Sequence, residues 1–193
     1  MRKVFIVLDL EATCFDRNGS EQKPKGFQNE IIEIGAVKCD ENGNKISTFQ
    51  VFAKPIKFPK LSNFCKELTT ITQEEIDSAR SFSDVIVDFK NWANSEVESE
   101  KPSVTWISWG QYDRRQLRDD CQLHKIDKEW INENNHKSLK HLHAEWNKLN
   151  PKGIGMNGAL KMENILLEGT HHRGIDDAIN ISKIFKKYIH KFI

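Results

Sequence analysis

A short, unbroken apolar run near the start of the chain constrains its fold more than any other feature. Residues 4–8 read Val-Phe-Ile-Val-Leu, and the run stops at Asp9. A continuous β-branched run of this length is typical of a central strand buried on both faces, because a half-solvated strand would alternate apolar and polar residues. The run is too short for a signal peptide or a membrane span. We therefore expect a sheet that is covered on both sides.

The rest of the pattern predicts a mixed sheet flanked by helices, which is an α/β fold. Asn42-Gly43 is a dipeptide typical of an antiparallel hairpin, and it lies between apolar segments that we predict as the second and third strands. Further strand signals bring the sheet to five strands. The predicted strands are 4–8, 31–37, 46–52, 104–108 and Trp130-Ile131. Apolar residues at helical spacing predict helices over 82–93, after Asp113, over 139–149, over 160–167 and over 178–192.

Length and composition fit one folded domain, which we expect to cover residues 1–193. Of the 193 residues, 38% are hydrophobic and 30% are charged, so a core can be buried and a disordered chain is excluded. The formal net charge is +1. A neutral balance argues against a protein that coats duplex nucleic acid, whose affinity depends on many phosphate contacts. A protein that grips only a few nucleotides remains compatible with this charge.

The four cysteines are widely spread, and no Cys-x-x-Cys pair occurs among them. This spacing does not suit a structural zinc site. We find no signal peptide before them, so we expect reduced, mostly buried thiols in a cytoplasmic protein.

Two carboxylates end the first predicted strand. Side chains two residues apart on a strand share a face, so Asp9 and Glu11 point the same way. Their charges repel, and partial burial makes each harder to ionise, so we expect a cation to neutralise them. All-oxygen ligation suits Mg²⁺ or Mn²⁺. The alternative, which is the commoner meaning of an isolated Asp-x-Glu, is an exposed acidic loop; the buried strand before it favours the metal site.

A second group of chemistry-bearing residues runs from His171 to Asp177 and reads His-His-Arg-Gly-Ile-Asp-Asp. Within one helix, His172 and Asp177 would point about 140° apart. They converge only if the histidine lies in a loop and the acid in the first helical turn, a break that Gly174 permits. A loop histidine beside a carboxylate suits a general base. Alternatively, Asp176 or Asp177 complements the helix dipole and both histidines are merely solvated.

A third segment, Trp109-Gly110-Gln111-Tyr112-Asp113, follows the strand predicted at 104–108. Asp113 is either the N-cap of the next helix or a further metal carboxylate, with Tyr112 beside it as a stacking surface for a base. The spacing alone does not choose between the two.

Together these segments resemble the DEDDh exonucleases, the 3′–5′ exonuclease branch of the RNase H-like superfamily. The matching motifs occur in the family's order at residues 8–14, 109–113 and 172–178. Within the family, residues 29–34, 61–69 and 130–132 are similar to the subgroup of histone-mRNA and small-RNA-trimming exoribonucleases and KapD-like proteins. The resemblance spans about residues 2–190 and implies an RNase H-like fold.

The resemblance also implies the site, position by position. The family's acidic quartet falls on Asp9, Glu11, Asp113 and Asp177. Its histidine falls on His172 rather than His171, because the family spacing is His-x-x-x-x-Asp. The implied cofactors are two Mg²⁺ or Mn²⁺ ions. Asp9 would bridge them, Glu11 and Asp177 would complete the ion that binds the attacking water, and Asp113 would reach the other ion through water. His172 would take the proton of the attacking water.

The implied reaction is hydrolysis of single-stranded nucleic acid from its 3′ end to nucleoside 5′-monophosphates, with RNA favoured and DNA possible. The implied substrate contacts are Glu11, Ala12, Leu68, Tyr112 and His172. Tyr112 would stack on a base and Leu68 would act as a wedge, unless both are core residues. A second hypothesis is a catalytically weak nuclease-like protein that regulates, or binds nucleic acid without cleaving it. A third is an enzyme that trims only dinucleotides or nucleotides. We expect no accessory nucleic-acid-binding domain and no membrane partner.

Overall fold

A mixed six-stranded sheet forms the centre of the computed structural model, which describes residues 3–16, 18–19, 21–95 and 103–192. The strands are β1 (Lys3–Ala12), β2 (Ile31–Cys39), β3 (Lys45–Lys54), β4 (Arg80–Ser81), β5 (Ser103–Ser108) and β6 (His136–Ser138). Their order across the sheet is β4-β3-β2-β1-β5-β6. β2 runs antiparallel to β1 and β3, whereas β5 is parallel to β1 and β6 is parallel to β5. The predicted α/β class and mixed sheet are confirmed.

Helices cover both faces of β1, as its apolar sequence predicts. The helices are α1 (Asn63–Thr69), α2 (Gln73–Ser78), α3 (Phe82–Asn94), α4 (Tyr112–Leu123), α5 (Leu139–Trp146), α6 (Met156–Met162) and α7 (Gly174–Lys187), followed by a 3₁₀ turn at Ile189–Lys191. Val4, Ile6 and Leu8 of β1 pack in one core cluster with residues of α3 and α4. Phe5 and Val7 pack in another with residues of α5, α6 and α7. None of these described helices is long and apolar enough to cross a membrane.

The predicted strand at Trp130-Ile131 is wrong, and so is the count of five. Both residues lie in a turn, and the strand is instead β6, at His136–Ser138. Ile131 is apolar because it is buried in the core cluster beneath α3, not because it pairs in the sheet. Asn135 fixes this turn by donating from its side chain to the Trp130 carbonyl at 2.8 Å. The sixth strand, β4, has two residues, too few to show a strand period.

Three predicted helices extend too far at their C-terminal ends. The helix predicted over 178–192 is α7, which ends at Lys187 before the 3₁₀ turn. α6 ends at Met162, and Leu166 and Leu167 follow in a loop, where Leu166 is 88% exposed. Asn164 stops the helix by adopting a left-handed backbone with φ of 56°. α5 likewise ends at Trp146, before Lys148, which has φ of 54°. Apolar spacing therefore finds these helices but not their ends.

The start of α7 lies in direct contact with the backbone of the sheet. A Cβ built on Gly35 of β2 would lie 2.1 Å from the backbone carbonyl carbon of Gly174, and a Cβ on Gly174 would lie 3.1 Å from the backbone oxygen of Asp9. Only glycine fits at Gly35, since a real Cβ cannot approach backbone this closely. The two glycines thus let the first turn of α7 reach the end of β1.

The four cysteines are free thiols. Cys39, Cys65 and Cys121 are buried, whereas Cys14 is half-buried. This arrangement matches the expectation of mostly buried, unpaired thiols.

Candidate active site

Three carboxylates meet where β1 ends and α7 begins. Asp9 and Glu11 lie on β1, and Asp177 lies in the first turn of α7. Each offers an oxygen within 4.8 Å of the oxygens offered by the other two. Glu11 and Asp177 are buried, whereas Asp9 is half-buried. The fold thus joins acids from distant parts of the chain into one oxygen-rich group, which we call the carboxylate cluster.

Asp113 lies beside this cluster rather than within it. It is the second residue of α4, is 5% exposed, and accepts a hydrogen bond from the backbone N–H of Leu10 at 3.2 Å. Leu10 stands between the two acids of β1, so Asp113 faces the same strand end. The alternative of Asp113 as N-cap is wrong, because the N-cap position belongs to Gln111.

Burial and mutual repulsion raise the pKa values of Asp9, Glu11 and Asp113. Burial is the largest cause at Asp9, followed by the charges of Asp113, Glu11 and Asp177, and the pKa rises well above its usual value. Burial, then Asp177 and Glu33, raises the pKa of Glu11 to about 9. At Asp113 burial outweighs the backbone hydrogen bonds and raises the pKa to about 6. The ionised cluster therefore needs a positive partner, and its all-oxygen donor set fits Mg²⁺ or Mn²⁺.

These shifts predict how the stability of the metal-free protein depends on pH. An acid whose pKa is raised by folding holds its proton more tightly in the folded state, so its contribution is greatest at low pH and is lost as pH rises through the folded pKa. For Glu11 that loss extends up to about pH 9, and for Asp113 to about pH 6. We expect the Tm of chelator-treated protein to fall between pH 5 and pH 9, and Mn²⁺ to raise Tm most at pH 9.

The control for this thermal measurement is Glu11→Gln, which removes the acid whose pKa is raised to about 9. We expect this variant to lose less stability between pH 6 and pH 9 than the unmodified chain does. A chelated protein equally stable at pH 6 and pH 9 would contradict the assignment of an ionised, unneutralised cluster.

A buried glutamate holds the start of α7 in place. Glu33 of β2 is fully buried and accepts hydrogen bonds from the backbone N–H of Gly174 at 3.0 Å and from the Gln50 side chain at 2.8 Å. The guanidinium of Arg173 lies 3.4 Å from the same carboxylate. Glu33 therefore fixes Arg173 and Gly174, where α7 begins. It is a positioning residue for Asp177, which lies in the first turn of that helix.

The two adjacent histidines contact Asp177 in different ways. His172 lies in a turn with φ of 67°, and its backbone N–H donates to Asp177 at 3.0 Å. The imidazole Nδ1 of His171 lies 2.9 Å from the same carboxylate, and the two histidine rings stack with centroids 4.0 Å apart. The loop break expected before α7 is thus present, but His171 makes the side-chain contact. Burial, with a smaller effect of His171, lowers the pKa of His172.

The residues expected to touch the substrate, besides Glu11 and His172, lie on β1, α1 and α4. Ala12 ends β1 and is buried, Leu68 is half-buried on α1, and Tyr112 begins α4 and is 46% exposed. The alternative that Tyr112 is a core residue is wrong, because nearly half of this residue is exposed to solvent.

Ser108 and His136 form a contact beside Asp113 that the sequence does not predict. The Ser108 hydroxyl donates to the Gly110 carbonyl at 2.8 Å and lies 2.9 Å from His136 Nε2. A hydrogen bond from Ser108 also acts to lower the pKa of Asp113, against the larger effect of burial. These residues are far apart in sequence, and only the pairing of β5 with β6 brings them together.

Comparisons with known proteins show what this chain is similar to. The RNase_T family, described as exonuclease, matches residues 6–185. The probable 3′–5′ exonuclease KapD of Bacillus subtilis is 32% identical over 181 residues, which cover 94% of this chain and 82% of KapD. Human ERI1 exoribonuclease 3 is 32% identical over 94% of this chain, which spans 52% of that protein's length. The nuclease domain of 3′hExo, a DEDDh family member bound to rAMP, superposes with a TM-score of 0.86 at 25% identity, covering 98% of this chain and 93% of that one.

Proposed function

This chain belongs to the RNase_T family of exonucleases, and from that membership we propose that it is a metal-dependent 3′–5′ exonuclease of the DEDDh type. Its proposed substrate is single-stranded nucleic acid, with RNA favoured over DNA, and its product is a nucleoside 5′-monophosphate. The observation that carries the proposal is the carboxylate cluster, since three acids with oxygens within 4.8 Å of one another need cations to remain ionised. The exoribonuclease relative and the rAMP-bound relative support RNA.

We propose that Asp9, Glu11, Asp177 and Asp113 would hold two Mg²⁺ or Mn²⁺ ions. Bound divalent ions would lower the pKa of a water molecule and neutralise charge on the phosphate. The chain's own part is to gather these oxygens at a sheet edge and to hold them there through Glu33 and the glycine contact of α7.

His172 is the proposed general base, which takes the proton of the attacking water at its imidazole. Because burial lowers its pKa below the usual 6.5, the ring is neutral and able to accept a proton at pH 7. Its place in a turn, rather than inside α7, allows the ring to turn towards bound substrate. Ala12 and Glu11 would contact the terminal nucleotide, with Tyr112 as a stacking surface for a base and Leu68 as a wedge beside the terminal base.

Both faces of the central sheet are covered by the described helices, which supports a single exonuclease domain over residues 1–193. The cytoplasmic location expected from the cysteines stays a prediction.

A digestion assay tests this function. We expect Mn²⁺ to support 3′ shortening of a 5′-labelled single-stranded RNA to a ladder, with release of nucleoside 5′-monophosphates, and a chelator to abolish it. A matched DNA strand is expected to be shortened several-fold more slowly, because recognition of the 2′-hydroxyl favours RNA. Binding without shortening would favour the non-cleaving hypothesis, and activity on dinucleotides alone would favour the trimming enzyme.

A further inference from the structure

A cavity of about 440 Å³ lies beside the first turn of α4. It is lined by Gln111, Arg114, Arg115, Glu133 and His136. Ser108 relates the cavity to the proposed metal site, because its side chain lies 2.9 Å from Nε2 of His136 and also contacts Asp113. Strand pairing also brings the cavity and the proposed metal site to the same edge of the sheet. β1 and β5 are parallel, with Val7 opposite Ile107, so their C-terminal ends lie at that edge. The metal site lies at the end of β1, and the cavity lies past the end of β5.

Two buried polar atoms of this cavity have no hydrogen-bond partner among the described residues. They are the amide oxygen Oε1 of Gln111, an acceptor, and Nε of Arg114, a donor. Burying polar atoms without partners is costly, so such atoms point to a ligand that supplies the missing groups. A ligand that satisfies both atoms would carry an acceptor for Arg114 and a donor for Gln111.

The charge of the cavity favours an anion. Arg114 and Arg115 bring two guanidinium groups, which suit the geometry of phosphate oxygens. Among the described residues of the lining, the only carboxylate is that of Glu133, which pairs with Arg114 at 3.0 Å but has a side chain that is 83% exposed. An ion pair with so exposed a partner is weak, so another anion can readily replace Glu133 on Arg114. Burial, together with Arg114, lowers the pKa of His136 to about 4, so this ring is neutral and does not add to the charge.

We propose that this cavity binds the backbone of the nucleotide on the 5′ side of the scissile phosphate, with its phosphate on Arg114 and Arg115 and its ribose 2′-hydroxyl donating to Gln111. The inference rests on the proposed function and names the part of the substrate that this chain reads. A DNA backbone offers acceptors but no donor, whereas the 2′-hydroxyl of RNA supplies the donor that Gln111 lacks. The cavity therefore provides a physical reason for a preference for RNA.

The phosphate interaction is tested by comparing two substrates. A hexaribonucleotide occupies the cavity, whereas the 4-nitrophenyl ester of thymidine 5′-monophosphate has no nucleotide on that side. For Arg114→Gln/Arg115→Gln we expect the ratio of kcat/KM for the hexamer to that for the ester to fall about tenfold. The dependence of log KM on log salt should also become shallower by about 0.7 for each phosphate that the variant no longer neutralises. The control is Arg80→Gln. Arg80 lies on β4, at the edge of the sheet opposite to β6, where it pairs with Asp88 at 2.7 Å.

The ribose interaction is tested with Gln111→Leu, for which we expect the ratio of RNA to DNA cleavage to fall several-fold. The single variant Arg115→Gln, at an exposed position, replaces the double variant if thermal unfolding shows that the latter is misfolded. Unchanged substrate ratios in folded variants would overturn this inference and leave the proposed function standing. A wild-type protein that cleaves neither substrate with Mn²⁺ present would overturn the proposed function itself.

Discussion

Asp9→Asn is expected to lower kcat for the removal of 3′ nucleotides by about 10³-fold, because a proposed metal ligand loses the charge that would hold the cations. Metal ions supply several kcal/mol of transition-state stabilisation, and about 4 kcal/mol corresponds to this factor.

The same variant, Asp9→Asn, is expected to raise the Tm of the metal-free protein at pH 8. Asp9 is repelled by the neighbouring acids, and the amide removes that repulsion. A relief of about 1 kcal/mol would raise Tm by about 2–4 °C.

The matched control is Asp176→Asn, the same chemical change close to the site but outside the cluster. Asp176 accepts a hydrogen bond from the backbone of Thr170 at 2.8 Å, a role that an amide oxygen can keep. We expect kcat of this variant to stay within about threefold of the unmodified chain, since surface changes of this kind are small. A lower Tm for Asp9→Asn, or a kcat within about tenfold of normal, would mean that Asp9 is a structural acid.

His172→Ala is expected to lower kcat by about 10²–10⁴-fold, the usual contribution of a positioned general base. His171→Ala is the control, with an expected loss of less than about tenfold. The structure makes this a sharp comparison, because the imidazole of His171 contacts Asp177 while His172 contacts it through its backbone. A greater loss from His171→Ala would transfer the role of base to that residue.

The pH profile provides a second measurement of the same role. A general base acts only when neutral, so the rate should fall as pH drops through its pKa. Because burial lowers the pKa of His172, we expect the acid limb of the kcat/KM profile to lie below pH 6.5. That limb should disappear in His172→Ala and persist in His171→Ala.

An element of the fold can be predicted from the sequence when its own residues show the period or the turn that identifies it. β1 and the hairpin of β2 and β3 are predictable because apolar runs and the Asn42-Gly43 turn mark them directly. β4 and β6 have two and three residues, too short to show a period. Trp130 and Ile131 imitate a strand because a turn that packs into the core needs apolar residues as a strand does. Helix ends set by Asn164 and Lys148 depend on left-handed backbone that side-chain spacing does not encode.

The same distinction applies to the site. Spacing predicts that Asp9 and Glu11 share a face, and Gly174 permits the loop break before Asp177, whereas the family resemblance joins these acids to Asp113. The contact between Gly35 and Gly174, and that between Ser108 and His136, arise from elements that meet only in the tertiary structure. No local pattern marks either one, and nothing in the sequence shows that His171 rather than His172 has its ring on Asp177.

The docking of α7 against β1 has a consequence for the order in which the protein is made. Asp9 leaves the ribosome long before Asp177, so the nascent chain emerges without one of the acids of its cluster. Only when α7 has been released and its first turn has settled against Gly35 is the set of oxygens complete. Under the proposed function, the protein can degrade RNA only after its mRNA has been translated past α7. A product that terminates before α7 therefore does not degrade the transcripts around it.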